Sequence, residues 1–211
     1  MYPEPNFAIL VILLIGKEYM MEKTINRTAK KEAVELAFKI GFESEASKTN
    51  CAQATFHAIS TVLGIKNPQI FKSLYSLAGG GAASTYGSCG AFSGAMVTFS
   101  LFLGRTYAQW EEGKRGAESS KLADAFYKKF IDRFGTVICR EIHQELFGRT
   151  FDFKNKKDRE AFDNLGGHAE KCPSVVGVSS AWAVEILWNH LPGDSDLSGI
   201  TSMDEVLKKN P

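Results

Sequence analysis

The sequence predicts an all-α fold, a single-domain helical bundle, on three observations. From Thr28 onward the apolar residues recur at spacings of three and four, the helical rather than the strand period. No stretch sustains the period-two alternation of a half-buried strand. Six prolines in 211 residues suit a bundle with short loops.

The elements follow in chain order. In AKKEAVELAFKI, residues Ala33, Val34, Ala37 and Phe38 form one apolar stripe while Lys30, Lys31, Glu35 and Lys39 point away. The polar stretch ESEASKTN reads as a break, after which CAQATFHAISTVLGI repeats the pattern at Ala52, Phe56, Ile59 and Leu63, with Gly64 as its C-terminal cap. Cys51 falls in the first turn of this second helix. Asn67-Pro68 is a helix-start dipeptide, and the helix it opens runs to Gly79-Gly80-Gly81. Next, GAFSGAMVTFSLFLG is apolar nearly all round, which predicts a central, mostly buried helix that opens at Cys89 and is too short to span a bilayer. Ser119 or Ser120 is placed to cap KLADAFYKKFIDRFG. After Gly135-Thr136 comes a helix with Ile138, Ile142 and Leu146 on one face and Cys139 in its first turn. The last long helix follows Cys172-Pro173, and Ser202-Met203-Asp204-Glu205 has capping-box spacing for a short helix in the tail.

Composition narrows the function. With 44% hydrophobic and 23% charged residues the chain is neither disordered nor collagen-like, and it shows no internal repeats or low-complexity linkers. The 25 Lys+Arg nearly balance 24 Asp+Glu, leaving a net charge of +1 with no basic cluster, which argues against a nucleic-acid partner. Four cysteines are too few for a disulfide-stapled secreted scaffold, so they need another explanation.

At the N-terminus FAILVILLI, residues 7–15, is an apolar run of nine, well short of the roughly 20 needed to cross a membrane. Its flanks, MYPEPN and GKEYMMEK, supply neither the cation nor the cleavage site of a secretory signal. The expectation is a non-core extension over residues 1–20, with translation starting at Met20 or Met21, and a single helical domain over residues 21–211. A cytoplasmic protein that does not span a membrane is expected, and nothing in the sequence argues against a homo-oligomer.

All four cysteines fall at predicted helix starts. Unpaired backbone N–H groups and the helix dipole favour negative charge there, so this placement predicts thiols that ionise readily. Successive cysteines are separated by 37, 49 and 32 residues, which rules out a local CxxC pair, so any joint site must be assembled by the fold. Around Cys89, the glycines Gly90 and Gly94 share a helix face and leave room for another backbone or a bound group. The run from Gly79 to Gly94 carries six glycines, yet no Gly-Lys-Ser/Thr follows and no strand precedes, so a nucleotide loop is not expected. His143 lies four residues after Cys139, on the same helix face. The other histidines, His57, His168 and His190, have no partner at a diagnostic spacing, although His168 stands close to Cys172.

The element Cys89-Gly90-Ala91-Phe92-Ser93-Gly94 resembles the CGAxxG motif of the C_GCAxxG_C_C family, redox-active proteins defined by four cysteines. Asn50-Cys51-Ala52-Gln53-Ala54, the glycine-rich run, Cys139 after Phe134-Gly135, and Cys172 before Pro173 fall in that family's order, so the resemblance covers Thr28 to His190. It implies that Cys51, Cys89, Cys139 and Cys172 are the working residues, in thiol/disulfide or electron-transfer chemistry with an unknown redox partner. The domain is also similar to part of the split-Soret cytochromes, but the chain has no CxxCH, so covalent c-type haem is not expected. Two alternatives stay open. One is a metal or iron–sulfur module ligated by the four cysteines, with His143 as a further ligand of zinc or a cluster. The other is a helical interaction module whose cysteines are merely buried.

Overall fold

The computed structural model describes residues 29–188 and His190. Among the described residues the regular structure is helical, with nine α-helices and no strand. They are α1 (29–48), α2 (Cys51–Val62), α3 (Pro68–Ser73), α4 (Gly90–Leu103), α5 (Tyr107–Glu111), α6 (Ala117–Phe134), α7 (Cys139–Phe147), α8 (Lys156–Asn164) and α9 (Cys172–Trp188). The extension over residues 1–20 and the tail helix at Ser202 lie outside the described residues. No described helix is long and apolar enough to cross a membrane.

The core is built where α2, α4, α6 and α9 pack together. In α4 every position except Ser100 is buried or half-buried, as a helix apolar on all sides requires. It approaches α2 through glycine: a Cβ on Gly94 would stand 2.5 Å from the Ala52 carbonyl oxygen. Along α6, Leu122, Phe126, Phe130 and Phe134 recur at intervals of four and form one buried stripe. Phe92 of α4 and Trp182 of α9 close on that stripe, with Phe92 and Phe130 edge to face at 5.2 Å between ring centroids. The polar face of α6 reaches α9 through the Lys129–Glu185 ion pair.

Four local expectations change. The helix opened at Asn67-Pro68 ends at Ser73, with a 3-10 turn at Tyr75–Leu77 before the glycines. The first helix does not stop at the polar stretch after Phe42 but continues to residue 48. It can do so because Gly41 lets α9 approach, a Cβ there meeting Ser180 Oγ at 2.6 Å, which buries Ser44 and Glu45 on the following turn. Phe38, expected on the inner stripe, is 39% exposed and stacks on Phe42. Helix α6 starts at Ala117 rather than behind a serine cap, and Ser120 Oγ donates back to the Gly116 carbonyl.

Two short segments shape one end of the bundle. Between α3 and α4, Gly79, Gly80, Gly81, Ala82 and Ala83 all take positive φ, a left-handed turn in which two residues carry a Cβ. Between α8 and α9, Gly167–Lys171 form a π-helical turn that runs straight into Cys172.

Candidate thiol redox site

A cavity of about 600 Å³ opens at this end, and all four cysteines line it together with His143 and Glu45. Each thiol arrives from a different helix. Cys51 is the first residue of α2, behind an Asn50 cap whose side-chain oxygen accepts from the Gln53 amide. Cys89 is the N-cap of α4, and Cys139 opens α7. A single antiparallel bridge, Ser88 to Ile138, ties those two helix starts, through Cys89 N–H donating to the Val137 carbonyl and Cys139 N–H donating to the Gly87 carbonyl. Residues one step to either side of such a rung point the same way, so Cys89 and Cys139 face the cavity together. Cys172 is the first residue of α9, but its amide donates to the Gly167 carbonyl, so the π turn caps a terminus that the sequence reading treats as open.

The thiols fall into two neighbourhoods. Cys51 brings its sulfur against Gly90, the residue next to Cys89, close enough for the Cys89 thiol and the Gly79 amide to act on its protonation. This approach needs a glycine: a Cβ at Gly90 would lie 2.4 Å from Cys51 Sγ and 2.9 Å from the Ala52 nitrogen. Gly90 and Gly94 therefore accommodate α2 and its sulfur, and neither lines the cavity. In the second neighbourhood His143 Nε2 stands 3.7 Å from Cys139 Sγ and 3.9 Å from Cys172 Sγ. The His143 ring is boxed by Phe147, Phe151, Phe153 and Phe162, and its Nδ1 has no hydrogen-bond partner. All four cysteines are free thiols.

Burial overrides helix position in setting the protonation states. Cys51 is pushed well above the ordinary thiol value by its hydrogen bond to Cys89, then by burial and by the neighbouring charges of Cys89 and Glu45, with the Gly79 amide opposing. Burial raises Cys139 and Cys172 as well, and Cys51 and Glu45 add to it. The expectation of readily ionised thiols fails at these three positions. A helix N-terminus supplies about 0.3–1 kcal/mol, rarely 2, below or near one unit of pKa. Burial of a titratable group shifts it by up to roughly 3–5 units. His143 is lowered to about 4 by burial and by the nearby His168, so it is neutral at physiological pH.

Glu45 was not among the residues singled out from the sequence. It is 3% exposed, its Oε2 has no hydrogen-bond partner, and burial raises it to about 7. The signal that could have found it is spacing, because Ala33, Ala37, Gly41 and Glu45 continue one helix face at intervals of four. The left-handed turn was missed too. Of the five positive-φ residues other than glycine, Thr49, Asn50, Ala82 and Ala83 line the cavity, and Thr85 accepts from the Arg140 amide at the start of α7. Backbone strain of this kind, roughly 1–3 kcal/mol per residue, gathers at functional sites. At the rim, α8 adds Arg159 and Asp163, the latter 2.9 Å from His168 Nδ1. His57 is instead on α2 beside Thr61, away from the cavity.

Four sulfurs are a suitable donor type for zinc or an iron–sulfur cluster. As placed, however, no three His, Cys, Asp or Glu side chains among the described residues stand where they could hold one metal ion.

A family model described as "Putative redox-active protein (C_GCAxxG_C_C)" matches residues 49–186, well over half of the chain. The protein belongs to that family. The match begins just before Cys51 and takes in all four cysteines and the CGAFSG element. No curated protein and no solved structure matches the chain.

Proposed function

We propose that this member of the redox-active family works by dithiol/disulfide exchange, with Cys51 and Cys89 as the exchanging pair and Cys139 and Cys172 as a second pair gathered on His143. The observation that carries this reading is the close approach of the Cys51 sulfur to Gly90, the residue next to Cys89, with both thiols lining one cavity. Closing one pair to a disulfide releases two electrons and two protons. They pass to a disulfide of the redox partner, which leaves as two thiols. The raised pKa values of Cys51, Cys139 and Cys172 keep these sulfurs protonated and slow to attack, so exchange is confined to a substrate that enters the cavity, where the reacting thiol can lose its proton to a neighbour. Free thiols of this kind suit the reducing cytoplasm, and the balanced charge gives a nucleic-acid partner no surface to favour.

The test is anaerobic purification followed by metal and sulfide analysis, an absorption spectrum, and thiol counts before and after a disulfide oxidant. The expected result is metal-free protein that loses thiols two at a time and regains them with reductant. Stoichiometric iron and sulfide would move the assignment to a cluster protein. Thiols that react only after denaturation would leave a purely structural role.

A further inference from the structure

We propose that Glu45 is the proton acceptor of the thiol cavity: its carboxylate takes the proton that Cys51 gives up as its sulfur attacks a disulfide substrate, and returns that proton to the departing thiolate. This inference rests on the dithiol reading above. Three structural observations support it. Glu45 is a carboxyl buried almost completely on α1, which carries no cysteine, and burying a carboxyl is costly, so a buried one in a cavity marks a candidate functional group. Its Oε2 makes no hydrogen bond to the protein, whereas a structural carboxyl would be spent on a cap or an ion pair. It lines the same cavity as Cys51, Cys89, Cys139 and Cys172, which come from four different helices.

The other groups facing the cavity leave this role to Glu45. On the floor the titratable neighbours are the four thiols and His143. His143 is held neutral by its aromatic box and is engaged with Cys139 and Cys172 rather than with Cys51. At the rim stand Lys48 of α1, Tyr75 beyond α3, Arg159 and Asp163 of α8, and His168 of the π turn. Asp163 is paired with His168, and an Arg159 guanidinium N–H donates to the Phe153 carbonyl. A carboxyl that changes charge near pH 7 matches the pH at which it would have to accept and release a proton.

The step balances. Cys51 S–H attacks the disulfide RS–SR, forming Cys51–S–SR and releasing RS⁻, while the proton moves to the Glu45 carboxylate. Glu45 passes that proton to RS⁻, giving RSH. Cys89 S–H then attacks the mixed disulfide at the Cys51 sulfur and closes Cys51–S–S–Cys89. Its proton leaves through Glu45 to the second thiolate, so RSSR has gained two electrons and two protons as 2 RSH.

The test uses the full chain and dipyridyl disulfide, whose released thione is followed by absorbance, between pH 5 and 9. The wild-type rate is expected to rise with an inflection near pH 7. In Glu45→Gln the inflection should vanish and the rate at pH 8 should drop by about 10- to 100-fold. Glu43→Gln, an exposed carboxylate on the same helix, should behave as wild type. Infrared spectra of the wild type, which need no variant to fold, should show a protonated-carboxyl band that disappears as pH is raised through 7. An unchanged rate and inflection in folded Glu45→Gln, or no such band, overturns the role of Glu45 while a Cys51–Cys89 disulfide in the products keeps the dithiol reading. Failure of the wild type to close that disulfide sinks both.

Discussion

A buried Glu45 and a buried His143 pull the pH dependence of stability in opposite directions. Glu45 has a native pKa of about 7 against 4.5 for the free group. As pH rises from 4.5 to 7 the unfolded chain gives up a proton that the native state keeps, so this group's stability is present at low pH and is lost on the way up. His143 has a native pKa of about 4 against 6.5. As pH falls from 6.5 to 4 the unfolded chain takes a proton that the native state refuses, so this group costs stability on the way down. Each shift corresponds to about 3 kcal/mol at full extent, and over most of the shared window the two slopes cancel. Glu45→Gln removes one of them. The stability gap between the variant and the wild type, measured by urea unfolding under reducing conditions, is expected to move in the variant's favour by about 3 kcal/mol from pH 4.5 to 7.5. A gap that does not change with pH would show that Glu45 titrates in the native protein as it does in water.

The helix starts carry the site, and glycine sets how closely they approach. Gly90→Ala adds helix propensity of about 1 kcal/mol at most, since the position is at the very end of α4. Against that, the added Cβ meets Cys51 Sγ at 2.4 Å and the Ala52 backbone at 2.9 Å, and overpacking of this kind costs about 1–3 kcal/mol. The expected outcome is a lower melting temperature and loss of the Cys51–Cys89 crosslink, both read on one sample. A variant that melts and crosslinks as wild type would remove Gly90 from the site. Much of this scale is legible in the sequence. The start of α2 follows from its Asn50 cap and those of α4 and α7 from apolar period, with a cysteine at each. Helix α8 is not legible, because KKDREAFDN buries only Phe162 and is held by the aromatic box around His143 rather than by an apolar stripe of its own. The extension of α1 through ESEASK is hidden for a related reason: a polar composition reads as a break, and only the approach of α9 and the cavity makes Ser44 and Glu45 interior. The left-handed turn is hidden because Ala82 and Ala83 rarely adopt positive φ, and nothing in their neighbours announces it.

At the scale of the whole molecule, the sequence shows that four thiols distant along the chain have to meet through the fold, but not which of them meet. That depends on the packing of α2 against α4 and on the bridge that brings α4 and α7 together. Oxidation should therefore stiffen the bundle. Linking Cys51 to Cys89 closes a loop of nearly forty residues, and linking Cys139 to Cys172 closes one of just over thirty, each worth about 3–4 kcal/mol in the chain-entropy account. Oxidised protein is expected to melt above reduced protein, and a lower melting temperature on oxidation would mean that the bonds form only by distorting the helix starts. The most direct measurement is peptide mapping of the native protein after stoichiometric disulfide oxidant, with free thiols blocked before digestion. Cys51 joined to Cys89 is expected as the first intramolecular bond and Cys139 joined to Cys172 as the second. Random pairings, or four blocked thiols with no bond, would contradict it.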